Sequence, residues 1–254
     1  YSFEVGFGAR GLGGGTVDRN GARCICCDAP VPFKHVRSAG KAGEISARMM
    51  MMVVEGKRER VFLPPTDEME ELARNAPEQA PLETPLPERA LGFRVQEYGM
   101  VQHRDLFTER QFSAVSCFSD LLVNLRKEVL FDSRSSGLLE EEACLYADAL
   151  TAYLAFALDK VVDRHTTIAT WDSSPSKLQL RNTFARQAIP MTWDYAEGNP
   201  FSTSSGTWTP SVGWVAKVLD MLPASVAGDV CQEDAVAGHN GVRVFSTDPP
   251  YYDN

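Results

Sequence analysis

Between Pro64 and Pro87 the chain places six prolines in 24 residues, interspersed with acids, within LPPTDEMEELARNAPEQAPLETPLPERA. Each proline removes a backbone donor and turns the residue before it away from helix, so neither a long helix nor a central strand can cross this stretch. It reads as a linker over residues 64–90, with room for one short helical turn at 67–75. The hydrophobic period differs on its two sides.

On the N-terminal side, residues 1–63 hold short β-like runs at 2–5, 48–55 and 60–63, broken by glycine-rich turns, as a small β module does. On the other side the period is helical. Thr108 with Gln111 three residues on forms a capping-box pattern, and Phe112, Val115, Leu122, Leu125 and Val129 follow on one face. A second helix is predicted over 139–163; it is apolar on more than one face and is therefore expected to be buried. Further helices are predicted at 179–188 and 211–222, completing a mainly helical region at 91–222. Two short strands, 228–231 and 242–245, close the chain, each followed by an acid-bearing loop, GDVCQEDA and VRVFSTDPPYYDN. Strands that end in such loops after a helical run describe the edge of an α/β sheet at 223–254, where ligands gather at the carboxyl ends of strands.

Composition excludes some functions and localises others. No run approaches the ~20 apolar residues of a membrane-spanning helix, and the N-terminus lacks the charged-then-apolar layout of a secretory signal. Six cysteines at 24, 26, 27, 117, 144 and 231 are too unevenly spread for a small disulfide framework, which suits a reducing, cytoplasmic setting. Net charge is −9, against a nucleic-acid binder as a whole. Residues 1–63, however, carry ten lysines and arginines against six acids, a net +4, leaving 15 against 28 and a net −13 beyond them. A basic module on an acidic body is compatible with DNA contact through the module, and equally with an ordinary solvated surface.

The most chemically loaded tetrapeptide is Asp248-Pro249-Pro250-Tyr251, directly after the apolar run 242–245. Such a loop fits enzymes that act on the amino group of a flipped base. The Asp248 carboxylate and the Pro249 carbonyl offer two acceptors for an exocyclic amine. The prolines stiffen the loop and remove its donors, and Tyr251 offers a stacking face. A solvated tail rich in turn residues is the plainer reading of the same letters.

Cys24 and Cys27 in RCICCD have the C-x-x-C spacing with which two thiolates grip one tetrahedral zinc, but a structural site needs four ligands and the chain holds one such pair. Cys26 and His35 are the nearby spare donors. A redox dithiol is the alternative, without the βαβ context that accompanies one. The other three cysteines are expected in the core. The glycine-rich FGARGLGGGTV at 7–17 is expected to be a hairpin connection rather than a cofactor loop, because TVDRNGARC follows it instead of a helix.

The run LRNTFARQAIPMTWDYAEGNPFSTSSGTW at 180–208, together with STDPPYYDN and, upstream, RVFLPPT, LGFRVQEYGM and RDLFTERQ, resembles adenine-specific DNA methylases that carry a zinc-ribbon insertion. That resemblance implies an α/β, Rossmann-like methyltransferase fold with an N-terminal zinc-ribbon-like β module and a helical insert. It implies an enzyme that uses S-adenosylmethionine to methylate N6 of adenine in double-stranded DNA. Asp248, Pro249, Pro250 and Tyr251 would be its catalytic loop, Asp234 its contact to the donor's adenine amine or else a strand-end surface acid, and Cys24 and Cys27 half of its zinc site. In that family a donor-binding glycine loop precedes the ribbon and more of the domain follows the catalytic loop. The chain is accordingly expected to be an internal portion, inactive alone and with an incomplete zinc site. Asn199-Pro200-Phe201 matches a family signature without an assigned role; an Asx turn with a packed phenylalanine accounts for it. Trp193, Trp208 and Trp214 are expected in the core. The rival class is a non-catalytic nucleic-acid- or protein-binding module built on the ribbon-type metal site.

Overall fold

The computed structural model describes residues 5–6, 15–57, 59–77, 79, 82–88, 90, 92–174, 176–185, 188–222, 228, 231–234, 244 and 246–247. Its N-terminal part is a three-stranded antiparallel meander, β1 (Val17–Asp18), β2 (Gly21–Arg23) and β3 (Pro30–Pro32), followed by helix α1 (Phe33–Lys41). A separate hairpin pairs β4 (Met52–Glu55) with β5 (Arg60–Leu63), with Val53 opposite Phe62 and Val54 opposite Val61. The strand predicted at 60–63 is β5 itself, whereas that predicted at 48–55 is confined to β4. At 2–5, Val5 belongs to no strand and the others lie outside the described residues.

The expected helical turn in the linker is α2 (Asp67–Arg74). Its N-cap, Thr66, accepts from Met69 N at 3.2 Å, and three acids in its first turn suit the positive end of the helix. Glu70 is buried, where it takes Arg48 Nε at 3.0 Å and Arg74 Nη2 at 2.9 Å. The end of the proline-rich stretch joins the core. Leu86 is buried with Val95, Leu106, Ile168 and Ile189, and its N–H donates to Val101 O at 2.8 Å.

Two long helices dominate the rest, α3 (Glu109–Ser135) and α4 (Glu140–Val162). The capping box holds at atomic level, with Gln111 N donating to Thr108 Oγ1 at 3.1 Å and Thr108 N to Gln111 Oε1 at 2.9 Å. The helix ends in a Schellman turn. Gly137, at φ 93°, donates to Arg134 O, and Leu138 N donates to Ser133 O at 3.2 Å. This turn reverses the chain so that α4 packs along α3, with Ala143, Ala147 and Ala157 fully buried on α4. Phe118 and Leu122 meet Leu158 and Val161 in the seam, and Trp208 of the last helix, α5 (Trp208–Leu219), packs against them.

Several sequence expectations are corrected. The apolar girth of α4 does not bury it all round: Leu145, Tyr146 and Phe156 are exposed. No helix forms over 179–188. There β7 (Gln179–Leu180) pairs antiparallel with β6 (Trp171–Asp172), and Asn182 and Phe184 N turn back onto the Asp163 carboxylate at the end of α4. Long-range bonds to a helix terminus override the local preference. Helix α5 begins three residues before the predicted 211. Cys117 and Cys231 are exposed and Cys144 half-buried, so none is a core residue. Trp193 and Trp214 are exposed, and only Trp208 packs into the core.

All three sheets among the described residues are antiparallel and have two or three strands. Of the two closing strands, Gly228, Cys231 and Val244 are assigned to no strand, and their remaining residues lie outside the described residues. Among the described residues no helix is long and apolar enough to cross a membrane.

Candidate functional site

Of the residues singled out from the sequence, Asp248, Pro249, Pro250 and Tyr251 lie outside the described residues. Asp234 is exposed and belongs to no strand or helix. Cys24 and Cys27 are well placed for what was expected of them. They sit in the turn between β2 and β3, where Arg23 pairs with Pro30. Cys24 N donates to Ala29 O at 2.9 Å and Asp28 N to Cys24 O at 2.8 Å, and Asp28 takes the left-handed conformation, φ 57°, that closes the knuckle. The N–H groups of Cys26 and Cys27 point at the Cys24 sulfur and hold its thiol below the ordinary range. Backbone donors aimed at a sulfur favour its anionic form, the form that binds metal. The turn therefore fits two thiolate ligands of a tetrahedral zinc. Among the described residues no group of three or more His, Cys, Asp or Glu completes such a site.

A second site emerges only in three dimensions. Where the start of α3 meets the end of α4, a cleft of about 170 Å³ opens under the segment 197–201; its walls include Ala114, Val115, Phe118, Val161, Pro200 and Phe201. The family-like run 180–208 supplies its lip. Asn199 Oδ1 accepts from Phe201 N at 2.9 Å, the Asx turn expected from the sequence. Pro200 O accepts from Trp208 N at 3.0 Å, which ties this turn to the first residue of α5. Phe201 is largely exposed, yet its ring centroid lies 5.5 Å from that of Phe118, itself 4.9 Å from Trp208.

Polar groups converge on this cleft. Arg110 clasps Glu197 with two bonds, Nε to Oε1 at 2.8 Å and Nη2 to Oε2 at 2.7 Å, and Thr108 Oγ1 donates to the same carboxylate at 3.2 Å. Fork-to-carboxylate geometry of this kind is the stronger sort of ion pair. Behind it lie Gln111 and His165, each only 3% exposed. His165 Nδ1 is 2.7 Å from Val161 O; since a carbonyl only accepts, Nδ1 carries the proton and Nε2 presents a lone pair. Burial pushes the imidazole below its ordinary pKa, partly opposed by the Val161 bond and by the Glu197 charge. Neither Gln111 Nε2 nor His165 Nε2 has a hydrogen-bond partner.

Sequence reasoning assigned Gln111 only a cap and did not single out Arg110, His165 or Glu197. The one usable signal was a histidine at the end of an apolar helix, in VVDRHTT, where a cluster of polar residues interrupts an otherwise apolar pattern. No family model matches the chain, and neither a curated protein nor a solved structure matches it.

Proposed function

We propose that this chain belongs to the machinery of an S-adenosylmethionine-dependent methyltransferase acting on N6 of adenine in double-stranded DNA. The observation that carries the reading is the order Asp-Pro-Pro-Tyr at Asp248–Tyr251 after an apolar run. It provides two fixed acceptors for one amine and an aromatic face beside them, the minimal set for holding an extruded base. S-adenosylmethionine, when bound, supplies the methyl group as an electrophilic carbon. The chain's own part is positioning: the Asp248 carboxylate and Pro249 carbonyl accept from the N6 amine and aim its lone pair, while Tyr251 stacks on the ring. Asp234 is the residue that would accept from the donor's adenine amine.

A second reading, a nucleic-acid- or protein-binding module centred on the ribbon, is favoured by the Cys24 sulfur cradle and the positive charge of residues 1–63. One pair of variants separates the two in the protein expressed from its complete reading frame. Asp248→Ala is expected to abolish transfer of tritium from labelled S-adenosylmethionine to adenine while duplex binding and the melting curve stay unchanged. Turnover retained by Asp248→Ala would sink the enzymatic assignment. Loss of duplex binding in Cys24→Ser, with no methyl transfer by the wild type, would establish the binding module instead.

A further inference from the structure

We propose that the cleft beneath Asn199-Pro200-Phe201 is a binding site for the hydrogen-bonding edge of a nucleobase, with Gln111 Nε2 as donor and His165 Nε2 as acceptor. The two atoms have fixed roles. Gln111 Oε1 is committed to the Thr108 N–H at 2.9 Å, which leaves the amide nitrogen, with its two hydrogens, as the free end. His165 Nδ1 is committed to Val161 O, which leaves Nε2 as an acceptor. Both residues are 97% buried, line the same cleft and end in unpartnered polar atoms. A buried donor or acceptor without a partner is costly, so a site that keeps two of them is built for a ligand that satisfies both.

Size and charge narrow the class. One water needs only about 10–15 Å³, and a cavity of about 150 Å³ can take a benzene ring, so a cleft of about 170 Å³ has room for a ring rather than a lone solvent molecule. Space beside His165 is kept by a missing side chain: a Cβ on Gly198 would stand 3.2 Å from His165 Nε2 and 2.6 Å from Leu180 Cδ1. Arg110 and Glu197 cancel one another at the rim, which favours a neutral ligand. Phe118 and Phe201 add aromatic surface, which suits a flat ring better than an aliphatic amide. A neutral ring with an N–H donor next to an acceptor is the edge of a nucleobase, and adenine presents it as its exocyclic amine beside a ring nitrogen. The inference makes no use of the Asp248 loop, so either can fail alone.

The experiment titrates the 254-residue protein with adenosine and with purine riboside, which lacks the exocyclic amine, and follows heat and the ¹⁵N resonances of His165. Two variants preserve the local structure. Gln111→Glu keeps an oxygen for the Thr108 N–H and replaces the free donor; His165→Asn keeps an N–H for Val161 O and removes the acceptor. Expected are saturable binding of one adenosine, a shift of the His165 Nε2 resonance, and weakening by about tenfold or more for purine riboside and for each variant. A single-stranded adenine oligonucleotide then tells a base carried on a strand from a free nucleoside, and preference for either upholds the site. Absence of saturable nucleoside binding overturns the proposal, and so does adenosine affinity unchanged in both variants. Should both variants unfold, the wild-type titration decides: an unmoved His165 Nε2 resonance at saturation overturns it.

Discussion

The β module and the helical region are held together in different ways. Among the described residues, every buried apolar side chain of the core falls between Leu86 and Ile189, and none falls within 15–63. In the module Val17 and Ile25 are about two-thirds exposed, and the structure rests on strand pairing and the turn at Cys24. In the helical region Phe118, Leu122, Leu158 and Val161 are almost wholly shielded. A small unit without a core depends on a staple such as metal, whereas a helical hairpin with a filled seam holds itself. The contrast also places the two sites: the thiol pair lies where the fold needs help, and the Gln111–His165 cleft lies where the fold is strong enough to keep unsatisfied polar atoms.

The contrast breaks most visibly at Phe118. Phe118→Ala should destabilise the helical region by about 3–5 kcal/mol, because it removes a buried ring that contacts both Phe201 and Trp208. Urea unfolding followed by helical circular dichroism measures this, and amide spectra of residues 17–32 should stay folded at urea concentrations that melt the helices. Simultaneous loss of both would show one cooperative unit in place of two.

A smaller effect sharpens the comparison at the two left-handed residues. Gly137→Ala, at φ 93°, should cost the helical hairpin about 1–2 kcal/mol, seen as a lower melting temperature. Asp28→Gly, at φ 57°, should act in the opposite direction and slow amide exchange at Cys24 and Asp28, because glycine adopts this conformation freely. An unchanged exchange rate would mean that the knuckle stores no backbone strain.

The smallest expected effect is that of zinc on helix melting. Zinc should move the amides of residues 24–29 with weak affinity, through two thiolates, and shift helix stability by less than about 0.5 kcal/mol. One zinc retained per monomer after dialysis against a chelator would reveal ligands beyond Cys24 and Cys27.

The candidate sites were unequally legible. The C-x-x-C turn could be read because its function needs only neighbours in sequence, and the cradle on Cys24 is built within four residues. The cleft could not, because Gln111 already had a sufficient local role as a cap, and the residues that make it a site lie far along the chain. Glu197 is 87 residues from its partner Arg110. The helix wrongly expected at 179–188 fails for the same reason, since Asn182, Thr183 and Phe184 bond to Asp163 and Thr166 across a chain reversal.

What the sequence determined by itself is local: the start of α3 at its Thr108–Gln111 box, the strand at 60–63, the Asx turn at Asn199 and the knuckle at Cys24. Each is settled by bonds spanning at most a few residues, whose geometry the side chains dictate. Tertiary structure alone decided which face of α4 is buried, that 179–188 stays out of helix, and that the second nitrogens of Gln111 and His165 share one cleft. Those outcomes depend on which distant surfaces meet, and a chain's local preferences, worth well under 1 kcal/mol per residue, yield to the packing and long-range hydrogen bonds that such meetings create.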